Sequence, residues 1–438
     1  MRSSLKIEVV LFGVVFWILV FSTVQAATYY IAPTGNNSSP GTVTQPFATL
    51  QKAHDVANPG DTIYMRGGTY LFTSPQILTR DGNNGNPIRL YAYPGERPVI
   101  DAINATIINT GNYYDGWAIA LNSASWWHIK GLEIRNAPAG GLLIYAASHS
   151  NIIESNDIHH NGRISQYAGS GIQLLGSGAN NLILNNDLHH NRDVNKGNAD
   201  GFAGGGTTGT GNVVRGNRAW RNSDDGFDFF NSQDNTSGGA YIIENNWAWE
   251  NGYDDKLQPL GEGNAFKLGG TRSGTSGKSG GHTVKNNMAW RNRGHGFLEN
   301  GANISLFLFN NTAWNHPGDN YLFQKTVSTF HNNIDYVNGQ GRHINASSNV
   351  THNSWTLPVT VTNDDFVSLD YSNAFGPRDA DGSLPTINFL RLAVGSDLID
   401  KGTNVGIAYF GSAPDLGAYE YAGSVASLQP PSNLVVQP

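Results

Sequence analysis

Gly216-Asn217-Arg218-Ala219-Trp220-Arg221-Asn222-Ser223-Asp224-Asp225-Gly226-Phe227-Asp228 is one statement of a phrase that the chain repeats. Its first half returns as SNDIHHN, NNDLHHN, NNWAWEN, NNMAWRN, NNTAWNH and NNIDYVN. Anchored on one position, the repeats fall at Gly131, Asn156, Asn186, Asn217, Asn246, Asn287, Asn311 and Asn333, spaced by 25, 30, 31, 29, 41, 24 and 22 residues. Units of this length are the coils of a solenoid. The shortest spacings approximate a bare coil, and the longest marks an inserted loop. Five residues after each anchor stands a second column: Asn136, Asn161, Asn191, Asn222, Asn251, Asn292, His316 and Asn338. Asn tolerates the left-handed backbone of a tight corner, and its amide bonds to the equivalent Asn one coil away. Two stacked turns are therefore expected.

Between the columns lies a short strand alternating apolar, variable, apolar. After the second column comes another strand, read as GLLI, GIQL, GFAG, GFDF, AFKL, GFLE and NYLF. Its inward column is Leu142, Ile172, Phe202, Phe227, Phe266, Phe297 and Tyr321. One apolar column flanked by variable neighbours is what a parallel stack with a filled interior requires. The fold class is all-β, a right-handed parallel β-helix. Upstream, Phe47, Leu50, Ala53 and Val56 share one face of a helix over Phe47 to Ala57, which is expected to cap the open end. SDLIDKGTNVGIAYFGSAPDLGAYEY is expected to close the other end, and a Pro-rich tail or linker stub occupies 425–438.

The first 26 residues carry Arg2 and Lys6, an apolar run from Val9 to Val20, and small residues at Ala26 and Ala27. That is the pattern of a secretory signal peptide, so export is expected, with a β-helix domain over 27–424 and no membrane attachment after cleavage. Losing Arg2, Lys6 and Glu8 removes two positive charges and one negative, taking the formal charge from −7 to −8 and excluding a nucleic-acid partner. There is no cysteine, so cohesion comes from the core and the backbone hydrogen bonds. A monomer is expected.

With the inward aromatic as a ruler, Asp200 and Asp225 stand two positions before Phe202 and Phe227, on adjacent coils. Asp228 and Lys267 each stand one position after the ruler, also on adjacent coils, pointing outward. Asp200, Asp224, Asp225 and Asp228 would repel one another unless a cation sat among them. Calcium, which takes six to eight oxygen ligands, suits that set, and no Cys or His inside it favours zinc. Gly226 is expected to permit the bend that lets Asp225 and Asp228 reach one ion. Lys267 reads either as a surface salt bridge to Asp228 or as a base. Uronate β-elimination needs the C5 proton removed beside a carboxylate that a cation has neutralised, and a Lys whose pKa a nearby cation lowers serves that purpose.

NADGF at 198–202, NSDDGFD at 222–228 and GNAFKLGG at 263–270, with the NxAW phrase, resemble the family nine pectate lyases. The resemblance covers nearly the whole mature chain. It implies that Asp200, Asp224, Asp225 and Asp228 hold a catalytic Ca2+ and that Lys267 is the Brønsted base. It also implies a secreted enzyme acting on polygalacturonate or pectin, the acidic plant cell-wall polysaccharide. Relatives in that family also act on rhamnogalacturonan. The insertion GYDDKLQPLGEG before Lys267 leaves the preferred polymer open.

Two further readings come from other classes. Asn198-Ala199-Asp200, Asp224-Asp225 and Gly294-His295-Gly296 are similar to motifs of β-helix polygalacturonases, which are hydrolases, but His295 lies two coils beyond Asp225. A calcium-dependent pectin binder without turnover is the other, and Lys267 argues against it. Trp220, Trp249, Trp290 and Trp314, with His159, His189 and Tyr336, form a stripe that reads as packing rather than a sugar platform. The pairs His159-His160 and His189-His190 read as coil register rather than a metal site, and Asp254 and Asp255 as solvated loop charges. Arg272 is a candidate for a substrate carboxylate, and 271–281 reads as a mobile low-complexity loop.

Overall fold

The computed structural model describes residues 25–423, apart from 108, 167, 233 and 234. All but the last two residues of the signal peptide expected over 1–26, and the tail expected over 425–438, lie outside the described residues. Three parallel sheets of 12, 10 and 10 strands run from Thr28 to Thr351. Sheet I extends from Thr28–Ile31 to Asn349–Thr351, sheet II from Gly68–Leu71 to Ile334–Asn338, and sheet III from Gln76–Leu78 to Gly341–Ile344. Each coil visits sheet II, then III, then I, and each strand pairs with its equivalent one coil on. The molecule is a parallel β-helix.

The inward column of sheet III is in register as read: Leu142, Ile172, Phe202, Phe227, Phe266, Phe297 and Tyr321 are successive partners, and all are fully buried. From Phe227 to Tyr321 the rings stack face to face at 4.9 to 5.2 Å, the spacing of the strands themselves.

Both Asn columns are ladders. Nδ2 of Asn156 donates to Oδ1 of Asn186 at 3.0 Å, and the pattern continues through Asn217, Asn246, Asn287, Asn311 and Asn333 to Asn353. The second runs from Asn161 through Asn191, Asn222 and Asn251 to Asn292, and ends on His316. A third, Asn151–Asn181–Asn212, stands five residues before the first, an offset visible in the sequence but not read there.

The structure departs from the repeat pattern in two details. Leu132 and Ala137, not Gly131 and Asn136, occupy the rungs below Asn156 and Asn161, so the first spacing is 24. The left-handed residues are also not the ladder asparagines but those just before them, such as Ser155, Asn185 and Asn245. At the second corner these include Arg221, Glu250 and Arg291, with φ of 51°, 51° and 52°. A branched-off side chain costs about 1–2 kcal/mol there, and the rung that follows holds the backbone in place.

The capping helix is shorter than its apolar pattern, Leu50–Val56, with the Thr49 side chain accepting from the Lys52 amide. Phe47 precedes it, bridged to Ile31, and packs with Leu50 and Ala53 over the end of the core. The C-terminal segment does not close the far end. It lies along the side of the helix, where Phe366, Phe389, Leu392 and Leu398 cover the tryptophan stripe. Trp249 is fully buried, stacked at 4.9 Å on both Trp220 and Trp290, with the edge of Phe375 against it. The stripe is packing. Trp249→Ala is expected to lower stability by about 3–5 kcal/mol, read as a lower denaturant midpoint, and to expose the C-terminal segment to limited proteolysis.

Candidate active site

The corner between sheets II and III brings the predicted acids together. Asp200, Asp224 and Asp225 are all buried, and one carboxylate oxygen from each lies within 4.8 Å of the others. Asp228 stands outside this tightest group, directly paired with Lys267 across one coil step as the register requires. The Lys267 ammonium lies 3.2 Å from Oδ2 of Asp225, 3.3 Å from Oδ2 of Asp228 and 3.8 Å from Oε2 of Glu262. Asp228 and Lys267 do point away from the core, but they are recessed, only 15% and 13% exposed. The walls of a groove of about 530 Å³ rise around them, formed by Tyr113, Asn198, Phe230, Glu262 and Arg272.

The position two before the ruler is a hydrogen-bonded column in its own right. Ser170 donates to Asp200 Oδ2 at 3.4 Å, and Asp200 Oδ1 accepts the Asp225 amide at 3.0 Å. Asp225 Oδ1 accepts both the amide and Nδ2 of Asn264, at 2.7 and 2.9 Å. Asn264 Oδ1 takes the His295 amide, and His295 Nδ1 takes the Asp319 amide. Each rung fixes the next coil, so the fold occupies both oxygens of Asp200, the Ser170 bond being the longer, and one oxygen of Asp225. The other oxygen of Asp225 accepts no well-aligned hydrogen bond and faces the ammonium of Lys267. That oxygen is held by charge alone, and a hard cation among the carboxylates would satisfy it in the place of the ammonium. The set of carboxylates fits calcium.

The electrostatics agree. Burial and the neighbouring carboxylates raise Asp200 well above the ordinary range. Burial and Asp225, opposed by Lys267, push Asp224 up to about 8, and burial with Asp225 pushes Asp228 up to about 6 against the pull of Lys267. Burial disfavours charge on Lys267, yet Asp228, Asp225, Asp200 and Asp224 together outweigh it and raise its pKa. Without a divalent ion, Lys267 is the counter-ion of the cluster. A base needs that role taken over.

Gly226 is needed for a reason other than the one expected. Its φ is not left-handed, and a Cβ there would lie 2.8 Å from the Ala265 carbonyl and 2.9 Å from the ladder amide of Asn251. Close packing of the next coil, not a bend, excludes a side chain. The insertion is likewise a docked strap. Asp255 is no free charge: it accepts from His190 at 2.7 Å and Arg221 at 2.9 Å. Gly261 donates to the Ser223 carbonyl, and the Glu262 amide donates to Asp224 Oδ1 at 3.1 Å. Glu262 and Asn264 are site residues that the sequence reading missed; the column containing Asp225 would have given Asn264. Arg272 lines the groove, and the loop 271–281 is tied down rather than loose, through Asn231–Thr271, Ser237–Lys278 and Gly280–Ile304 bridges.

Asp157, His159 and His189 also offer ligand atoms within 4.8 Å of one another. The two rings stack in parallel at 4.8 Å as coil equivalents, and His189 donates to Asp157, so register and hydrogen bonding account for them.

Residues 29–345 match the family described as Pel9A-like, right handed beta helix region. The chain belongs to that family. As a Pel9A-like protein it is a polysaccharide lyase, and the hydrolase and non-catalytic readings fall. It is 37% identical to pectate lyase L of Paenibacillus polymyxa, covering 88% of this chain and 86% of that one. It is 33% identical to pectate lyase PEL9 of Emericella nidulans, covering 86% and 95%. The solved pectate lyase Pel9A superposes with a TM-score of 0.76 at 32% identity, covering 90% and 96%. A rhamnogalacturonan lyase superposes at 0.72 and 28% identity, covering 84% and 97%. The Pel9A-like chain is thus a right-handed parallel β-helix, as the repeat spacing implied.

Proposed function

We propose that this protein is a calcium-dependent pectate lyase that cleaves polygalacturonate by β-elimination, with Lys267 as the base. The observation that carries the reading is Lys267 Nζ held between Asp225 and Asp228 on the floor of an open groove. Asp200, Asp224, Asp225 and Asp228 would hold the ion, with waters completing its shell. A calcium ion held there would supply the charge that neutralises the uronate carboxylate, which eases loss of the proton at C5. The Lys267 amine would take that proton, the C–H electron pair would form the C4–C5 double bond, and the C4–O bond would break with its electrons on the leaving oxygen, which takes a proton from water. Asn264 holds Asp225 by two hydrogen bonds, and the strap carrying Glu262 holds Asp224. The apolar leader supports export, and among the described residues no helix is long and apolar enough to cross a membrane.

The test is digestion of polygalacturonate with and without calcium. An ultraviolet-absorbing unsaturated product is expected, abolished by chelator and restored by added calcium; activity at full rate in chelator would sink the metal assignment. Rhamnogalacturonan and methylated pectin belong in the same panel, with the highest rate expected on polygalacturonate. Asn264→Ala frees Asp225 and is expected to weaken calcium binding by about 10–100-fold, measured as the calcium concentration giving half-maximal rate.

A further inference from the structure

One coil beyond Lys267 the groove continues. Leu298 pairs with Lys267 on sheet III, and around it opens a cavity of about 590 Å³ whose near wall is Glu262, shared with the catalytic groove. Its lining carries two donors that the proposed chemistry does not use, Arg293 and His295. Arg293 is exposed, donates one guanidinium N–H to the Gly261 carbonyl, and forms no ion pair among the described residues. Most of its guanidinium donors are left over, unlike those of Arg218 and Arg221, which lie on Asp187 and Glu250. His295 is fixed in tautomer by its column: Nδ1 accepts the Asp319 amide at 2.9 Å, so the neutral ring carries its proton on Nε2. That Nε2 has no hydrogen-bond partner among the described residues. Tyr253, Leu298 and Pro317 supply apolar surface beside these donors.

We infer that this cavity is a second sugar subsite, in which Arg293 and the Nε2–H of His295 hold the carboxylate of a uronate unit. The inference rests on the lyase reading above and adds the neighbouring unit of the same polymer. A guanidinium fork beside a neutral imidazole donor suits a carboxylate better than a hydroxyl, because the planar fork can meet both oxygens. The apolar surface meets the C–H face of the ring. The Glu262 carboxylate, 3.8 Å from the Lys267 ammonium, repels a uronate carboxylate from the boundary between the two cavities and so turns it toward Arg293. The sugar bound at Lys267 and the sugar at Arg293 lie on coils one step apart, about 4.8 Å along the stack.

Arg293 is the residue to change, because His295 is also a rung. Arg293→Ala and Arg293→Lys are compared with the wild-type protein, in calcium, on galacturonate oligomers of defined length and on heavily methyl-esterified pectin. The expected result for Arg293→Ala is a KM raised about tenfold on long oligomers, the loss of one charge-assisted hydrogen bond, with kcat changed by less than about twofold. The shortest oligomers cleaved, which do not reach the cavity, should show no change, nor should esterified pectin, and Arg293→Lys should recover part of the affinity. An unchanged KM at every length, or a fall in kcat at constant KM, overturns the subsite. If the wild-type protein makes no unsaturated product, the lyase reading fails instead. Calorimetric binding of trigalacturonate then tests the subsite alone: weaker binding to Arg293→Ala supports it, and equal binding overturns it.

Discussion

Lys267→Ala is expected to reduce turnover of polygalacturonate by at least about 10²–10⁴-fold, the range lost when a positioned general base is removed. Lys267 is the basic side chain on the floor of the groove, one coil from Asp228 and facing Asp225. Lys267→Arg should be nearly as inactive, because a guanidinium stays protonated. A second readout separates base from scaffold. Lys267 neutralises part of the aspartate cluster, so removing it should tighten divalent-cation binding even as activity disappears, and the cation-free protein should melt earlier. Retention of full turnover in Lys267→Ala would overturn the mechanism. The raised pKa of Lys267 also sets the sign of the pH profile. The amine is protonated at neutral pH, so activity should climb toward alkaline pH and depend on the cation that offsets the aspartates.

The second large effect concerns Asp225, whose two oxygens do different jobs. Asp225→Asn keeps an acceptor for Asn264 but removes the charge that faces Lys267. Turnover should fall by more than about 100-fold, exceeding the loss typical of residues that only support metal ligands. In chelator, however, this variant should melt several degrees above wild type near pH 8, because one of four mutually repelling carboxylates is gone. Asp225→Ala should lose activity equally and gain no stability, since the rung to Asn264 goes with the charge. The pH dependence checks the cause. Asp224 and Asp228, raised to about 8 and about 6, keep protons in the folded protein that the unfolded chain releases near pH 4. The cation-free protein should therefore lose stability as pH rises from about 4 to 8. Below that window both states are protonated, and the advantage of Asp225→Asn should vanish.

The register of sheet III was legible because its column carries rings: aromatic residues at one coil position, with Asp and Lys at fixed offsets, leave little freedom in the alignment. That alone put Asp200 beside Asp225 and Asp228 beside Lys267. What stayed hidden depends on contacts between residues whose types vary. Asn264 does the same work as Asp200 and Asp225, but as an amide it carries no sign of belonging to an acidic site. Gly226 looked like a hinge because glycine usually is one, whereas its neighbour one coil on sets the requirement. The lateral course of the C-terminal segment was invisible because it is irregular, its regular structure among the described residues being two short 3-10 turns and two isolated bridges, and its apolar residues follow no period. The first rung was misplaced because Gly131 fills the left-handed corner position that Ser155 takes one coil later.

The asparagine ladders connect each coil only to its neighbours above and below, and nothing that leaves the helix between two corners takes part in them. Successive rungs are separated by as few as 20 residues, between Asn333 and Asn353, and as many as 41, between Asn246 and Asn287, with the same 2.9 to 3.0 Å bond at each. The skeleton therefore keeps count of coils and is indifferent to what they carry. Loops that leave between the corners can lengthen or shorten without moving the columns that set Asp200 beside Asp225 and Asp228 beside Lys267, so the groove is reshaped by what the coils carry and not by their frame.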